Sequence, residues 1–252
     1  MSSSSSSSQA SRSTGHPGSS AHSGGRNNNR SNGNNNNKNN NGNNRNRNKD
    51  DSPEVRLSKA LSWLLRHNAV AQGIAIRPDG YVKVEDVLKH SKFKGFSLDD
   101  IRAVVANNSK KRFQMSEENG TLLIRAVQGH SIEEVADLGN EEITDASEIP
   151  VVVHGTTFSK WHLIQQGGLS KMNRNHIHMA VGLPGSDEVI SGMRNSADLH
   201  IYIDTSKAIQ DGIKFYRAAN NVILSDGRGG DGIIPPQYFA KVQRSSGQII
   251  HP

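Results

Sequence analysis

Arg66 and His67 stand side by side at the end of an apolar run, Trp63-Leu64-Leu65-Arg66-His67. Further on, Arg125 lies in Ile-Arg-Ala-Val-Gln-Gly-His, and Arg194 ends Ser-Gly-Met-Arg. His154 closes a β-branched run at His154-Gly155-Thr156, and His176 and His178 follow in Arg174-Asn175-His176-Ile177-His178. Arginine is a planar, permanently charged fork that grips phosphate through paired N–H bonds. A neighbouring histidine adds a charge-assisted hydrogen bond or carries a proton. These residue types allow anion binding and phosphoryl chemistry. Each also has a plainer reading. Basic residues suit a helix C-terminus on dipole grounds alone, and Arg125 in an apolar run either snorkels to solvent or points into an anion site. The His-x-His pair with His154 raises a metal reading, but no carboxylate lies near it in sequence and no cysteine exists to complete a ligand set, so no metal is expected.

The composition narrows the function classes. The chain has 252 residues, 33% hydrophobic and 5% aromatic, which leaves too little apolar material for every segment to fold. The absence of cysteine removes disulfides and thiolate chemistry and fits a reducing compartment. A serine run follows Met1 with no apolar segment, so no secretory signal is expected, and no apolar run approaches the ~20 residues of a membrane span. The expectation is a soluble protein of the cytoplasm and/or nucleus, without a membrane partner. Net charge is +6. Residues 1–51 hold seven basic against two acidic residues, or +5, so the remaining 201 carry about +1. An anion site in the body must therefore be a local arrangement of arginines and not a global field.

The elements that must position these side chains follow in order. Residues 1–51, Ser-rich and then Asn-rich with scattered Arg, have nothing to bury and are expected to be a disordered tail. Ser52-Pro53-Glu54 starts a helix whose apolar face is Leu57, Ala60, Leu61, Leu64 and Leu65, with Arg66 and His67 at its last turn. A turn at Arg77-Pro78-Asp79-Gly80, a short helix from Glu85 and a third helix capped at Ser97 come next. A hairpin then turns at Asn119-Gly120 and carries Arg125 on its second strand. Three helices and a hairpin, over 52–135, make a winged-helix-like order. Residues 136–149 form an acidic linker.

From 150 to 246 the pattern is short strands with one good helix. A strand ends at His154-Gly155-Thr156, Thr156 or Thr157 caps a helix from Trp161, and Leu199 to Asp204 alternates as a strand. Ala218 to Asn221 turn a hairpin, and an edge strand precedes Pro235-Pro236. No Gly-x-Gly-x-x-Gly or Walker pattern supports a Rossmann or P-loop site. The fold class expected is α+β.

Taken together, Leu-Leu-Arg66-His67, Ile-Arg125-Ala-Val-Gln-Gly-His130-Ser, His154-Gly155-Thr156, Arg174-x-His176-Ile-His178, Gly182-Leu-Pro-Gly, Ser-Gly-Met-Arg194 and Phe-Tyr-Arg217-x-x-Asn220-x-Val-Ile-Leu-Ser resemble the NAD-dependent RNA 2′-phosphotransferases. In eukaryotes these act as tRNA 2′-phosphotransferases, and the likeness is to the eukaryotic branch, over about residues 54 to 245. The resemblance implies a winged-helix RNA lobe joined to an ADP-ribosyltransferase-like lobe. It implies action on tRNA or other RNA with an internal 2′-phosphate, with NAD⁺ as co-substrate; a monomer without a metal is expected. In that chemistry the phosphate attacks the nicotinamide ribose. The adjacent hydroxyl then attacks phosphorus, releasing 2′-OH RNA and ADP-ribose 1″,2″-cyclic phosphate. The family's Arg-His-Arg-Arg tetrad maps onto Arg66, His67, Arg125 and Arg194, with His130 as a further phosphate contact. His154, Gly155, Thr156, Ser170, Arg174, His178, Arg217 and Asn220 map to the NAD⁺ side. Two other readings remain at this point: an ADP-ribosyltransferase acting on nucleic-acid phosphate ends, and a winged-helix nucleic-acid-binding protein without activity.

Overall fold

The structure, a computed structural model, describes residues 51–183, 191–194 and 196–251. The tail expectation, Asp51 apart, and Pro184-Gly185 of the Gly-Leu-Pro-Gly motif lie outside the described residues. The described chain is α+β, with antiparallel sheets and two main apolar cores. No helix in it is long and apolar enough to cross a membrane.

The first half begins as its sequence requires. In α1 (Pro53–Trp63) the Ser52 hydroxyl accepts the Val55 N–H at 3.3 Å, and the expected face of Leu57, Ala60, Leu61, Leu64 and Leu65 is buried. The helix does not close in an α-helical last turn. Leu64–Asn68 widen into one π-helical turn, and Arg66 and His67 project from it. Such turns put extra side chains on a short arc and recur at functional sites. After Gly73, which takes φ 71, come β1 (Val82–Lys83), α2 (Val84–Lys89) and α3 (Leu98–Asn107). Ser97 and Asp100 cap α3 reciprocally, as their spacing predicts. The hairpin of β2 (Phe113–Glu118) and β3 (Thr121–Ala126) turns on Asn119 and Gly120, both at positive φ. These strands order as β1-β3-β2, and α1, α3 and the hairpin close over Leu61, Leu64, Phe93, Ile101 and Ile124.

The acidic stretch is structured on both sides. Val135 and Leu138 complete the first core, and Ile143 and Ile149 enter the second. The second half comprises β4 (Glu141–Ile143), β5 (Val153–Thr156), α4 (Trp161–Gly167), β6 (Leu169–Ser170), β7 (Ile177–Met179), β8 (Leu199–Ile203) and α5 (Thr205–Gln210). β9 (Phe215–Arg217), β10 (Ile223–Ser225), β11 (Ile233–Ile234), β12 (Phe239–Arg244) and β13 (Ile249–His251) follow. Two four-stranded sheets, β4-β9-β10-β7 and β13-β12-β8-β5, bury Leu199, Ile201, Phe215, Ile223, Tyr238 and Val242. A bridge between Val153 and Ala180 joins β5 to the end of β7, and β11 pairs with β6. Neither Thr156 nor Thr157 caps the helix as expected. The Thr157 hydroxyl turns to Ser159 at 3.1 Å, and the Asp198 carboxylate accepts the Phe158 N–H at 2.6 Å instead.

Candidate active site

The site is built around Arg66. Its guanidinium lies against Gly129, where a Cβ would stand 3.4 Å from the guanidinium carbon and Nε and where φ is 90. A bare residue at 129 both permits that backbone and admits the arginine. Nε and Nη2 of Arg66 are shielded from solvent and have no hydrogen-bond partner among the described residues. Burial, then the charges of Arg112 and Arg174, pull its pKa down to about 10, which still leaves a cation at neutral pH. The ion pairs among the described residues lie elsewhere, on Lys59, Arg77, Lys89, Arg102 and Lys214. A shielded guanidinium with idle donors, crowded by other cations, is uncompensated until an anion joins it.

His67 is oriented from behind. Its Nδ1 is 2.9 Å from the Ser131 hydroxyl, and the Ser131 N–H donates to the Arg66 carbonyl at 2.9 Å. Burial, then the charges of Arg66 and Arg174, lower the His67 pKa. His130 beside it is buried, with both ring nitrogens unpartnered among the described residues. Its pKa falls to about 3, chiefly through burial and then through Arg66.

The hairpin supplies an arginine to this group, and it is not the expected one. After burial, the Arg112 charge does most to lower the Arg66 pKa, and burial lowers the pKa of Arg112 itself. Asn108 holds it, Oδ1 accepting the Arg112 Nη1 and backbone N–H at 3.2 and 3.3 Å. Arg125 is engaged elsewhere. It pairs across the hairpin with Gln114, whose Oε1 accepts Nε and Nη2 at 3.1 and 2.8 Å. Its Nη1 donates to the carbonyls of Asp79 and Leu138 at 3.0 and 3.1 Å, and the guanidinium lies 4.7 Å from the Tyr81 ring centroid. The Arg125 donors thus tie the hairpin to the loops at Asp79 and Leu138. The only sequence signal for Arg112 was its basic run, Lys110-Lys111-Arg112, ahead of β2.

The second half contributes Arg174, half-buried, whose charge is felt by Arg66, His67, His154 and His178. Burial and the charge of Arg194 lower the pKa of Arg174. Arg194 is exposed and follows Met193, which is buried with Val153 and Ala180. Gly192, at φ 103, passes so close to β7 that a Cβ would meet the Met179 carbonyl at 2.7 Å. His154 Nδ1 donates to the His178 carbonyl at 2.9 Å. Its pKa is lowered, chiefly by burial, so the neutral ring keeps Nε2 as an acceptor. His178 is buried on β7 with Nε2 unpartnered among the described residues, and burial followed by the Arg174 charge pushes its pKa well down. His176 sits edge-on to Tyr216 at 6.0 Å. A cleft of about 490 Å³ opens here, lined by Ser131, Lys171, Arg174, Asn175 and His176, a volume within the range of ligand pockets.

The remaining expected residues divide. Thr156 lies on β5 opposite Leu199, and its neighbour Gly155 faces Met193. The exposed Ser170 hydroxyl accepts the Met172 N–H at 3.1 Å, bracing a turn at positive φ. Arg217 is tied to the Asn221 side chain at 2.7 Å and the Glu148 carbonyl at 3.0 Å, so its forked end holds β9 in place. Asn220 is buried and donates to the Lys110 carbonyl at 3.0 Å, joining the second half to the segment that carries Arg112.

Residues 52–227 match the model of the RNA 2′-phosphotransferase, Tpt1 / KptA family. A Schizosaccharomyces pombe protein is 49% identical over 196 residues, 78% of this chain, and the match spans 53% of its own length. tRNA 2′-phosphotransferase 1 of Danio rerio is 49% identical over 199 residues, covering 77% of this chain and 88% of that protein. tRNA 2′-phosphotransferase 1 of Homo sapiens is 42% identical over 194 residues, covering 76% of each.

Proposed function

The chain belongs to the RNA 2′-phosphotransferase, Tpt1 / KptA family and is a tRNA 2′-phosphotransferase, and from that premise we propose how its residues perform the transfer. The 2′-phosphate of the RNA splice junction moves to NAD⁺, leaving 2′-OH RNA, ADP-ribose 1″,2″-cyclic phosphate and nicotinamide. The carrying observation is Arg66, shielded and without a partner for Nε and Nη2 among the described residues, within reach of the charges of Arg112 and Arg174 and next to His67. Arg66, Arg112, Arg194 and His67 hold the phosphate. Arg112 takes the place that the sequence assigned to Arg125.

NAD⁺ supplies an electrophilic anomeric carbon with a leaving group, and an adjacent ribose hydroxyl. The residues facing it suit that role: His154 offers an Nε2 acceptor for a ribose hydroxyl, and His178 and Arg174 offer further polar groups. A phosphate is already nucleophilic at neutral pH, so the first step asks the protein for positioning. In the second, charge builds on the phosphoryl oxygens, where fixed guanidinium groups stabilise it. We read the first half as a winged-helix-like RNA lobe, on its three helices, hairpin and β1-β3-β2 order, and the mostly β second half as ADP-ribosyltransferase-like. The lack of cysteine supports a reducing compartment, cytoplasm or nucleus.

The test is incubation of the protein with a 2′-phosphorylated oligonucleotide and NAD⁺. Loss of the phosphate with release of the cyclic product supports the reading. Unchanged RNA overturns it, and a stable ADP-ribosylated end assigns the chain to terminal ADP-ribosylation instead.

A further inference from the structure

We propose that Asn175 is a positioning residue that locks the Arg174–His176 segment to the Arg66–His67 turn; this rests on the phosphate-site reading above. Its backbone N–H donates to the His130 carbonyl at 2.9 Å. Its side-chain Nδ2 donates to the carbonyls of Ile132 and Val135 at 3.1 and 3.0 Å. The clamped segment, 130–135, contains Ser131, which bonds the His67 ring through its hydroxyl and the Arg66 carbonyl through its N–H. Ile132 and Val135 are buried in the first core, so the segment is held from that side as well.

The three bonds form a continuous path from one half of the cation group to the other. On one side Asn175 is flanked by Arg174 and His176; on the other, Ser131 sets the ring of His67. An amide NH₂ has two donors and both are used here. A carboxylate has none, and a hydroxyl has one, so aspartate and serine cannot reproduce the clamp. All three acceptors are main-chain carbonyls, so the clamp fixes position without altering local charge. Loosening it lets Arg174 drift from Arg66 and lets the Ser131–His67 bond lengthen, which removes the preorganisation that the transfer needs.

The experiment uses the full chain as Asn175→Ala, Ser131→Ala and the double variant. It reads steady-state kinetics on a 2′-phosphorylated oligonucleotide with NAD⁺ and the imidazole NMR resonances of His67. For Asn175→Ala we expect kcat to fall about 10- to 100-fold, the loss typical of a misplaced catalytic group, with KM for NAD⁺ within about threefold. The His67 resonances should move toward those of Ser131→Ala, and the double variant should lose no more than the worse single one, because both act on one path. Wild-type kcat in Asn175→Ala, additive losses, or unmoved His67 resonances would each overturn the proposal. If Asn175→Ala does not fold, Asn175→Ser, which keeps one donor, carries the same comparison, and wild-type kcat there overturns it equally. The resonances are read without turnover. An inactive wild-type protein would therefore sink the functional reading, while the clamp would still stand or fall on the His67 signal.

Discussion

Met193 occupies the space in which a side chain at Gly155 would stand: a Cβ there would lie 2.2 Å from the Met193 Cγ and 2.7 Å from its Sδ. The contact joins two motifs that are 38 positions apart, His154-Gly155-Thr156 and Ser191-Gly192-Met193-Arg194. Gly155 therefore acts first as the seat of Met193, and Met193 sets the position from which Arg194 reaches the cluster.

Gly155→Ala should accordingly displace Met193 and carry Arg194 with it. Overpacking of this kind costs about 1–3 kcal/mol of stability. The expected outcome is a folded protein with a lowered melting temperature and a kcat reduced at least about tenfold, since in the proposed mechanism that guanidinium stabilises charge in the transition state. Full activity in a folded Gly155→Ala protein would show that Met193 can move aside without disturbing Arg194.

The two hairpin arginines should separate by phenotype. Arg112→Ala is expected to lower kcat by about 10²- to 10³-fold with little change in melting temperature, as loss of one charge-stabilising donor does. Arg125→Ala removes two hydrogen bonds to Gln114 across the hairpin and two that tie the hairpin to the carbonyls of Asp79 and Leu138. It should mainly destabilise, by about 1–3 kcal/mol, with kcat per folded molecule closer to wild type. Denaturation curves and single-turnover rates on both variants decide the matter; the reverse pattern would return Arg125 to the phosphate.

Inorganic sulfate should stabilise the protein. Binding to the folded state alone adds RT ln(1 + [L]/Kd), so a concentration of about 100 Kd contributes roughly 2.7 kcal/mol. The melting temperature should rise with sulfate beyond the rise produced by chloride at equal ionic strength, and Arg66→Ala should lose most of the difference. An identical sulfate response in Arg66→Ala would place the anion elsewhere.

Acid should destabilise the fold through His130. In the folded chain this ring takes up a proton only near pH 3, against an ordinary 6.5, because it is buried and feels the charges of Arg66, His67, Arg125 and His176. Between those values the unfolded chain binds a proton that the folded chain refuses. Stability is thus full above pH 6.5 and is lost as pH falls toward 3, by about 1.4 kcal/mol per pH unit from this group. Urea midpoints at pH 7 and pH 5 should differ less in His130→Gln than in wild type. His154 and His178, also lowered, contribute with the same sign and remain in the variant.

Much of the local structure was legible in the residues. Ser52 and Ser97 cap helices because a short side-chain oxygen three residues ahead of a free N–H needs nothing distant. Asn119-Gly120 turns the hairpin because few other pairs tolerate positive φ twice. The face of α1 and the motifs around Arg66, His67, His154 and Arg194 were likewise visible, and with them the family.

The caps, the turns, the apolar faces and the kinds of side chain available for phosphate follow from local residue order. Where each arginine spends its donors is settled only by the tertiary fold. Arg125 is withdrawn by the carbonyls of Asp79 and Leu138, which are 46 and 13 positions away, while Arg112 is brought beside Arg66. The fold also ties Arg217 to Asn221 and the Glu148 carbonyl, and it lets Arg66 and His67 leave α1 on a π-helical turn. For Arg125, and for Arg217 at the Glu148 carbonyl, a partner is remote in the chain. Propensity and spacing report what a residue can do locally, but the hydrogen bonds that commit an arginine's donors are settled only when distant backbone arrives beside them.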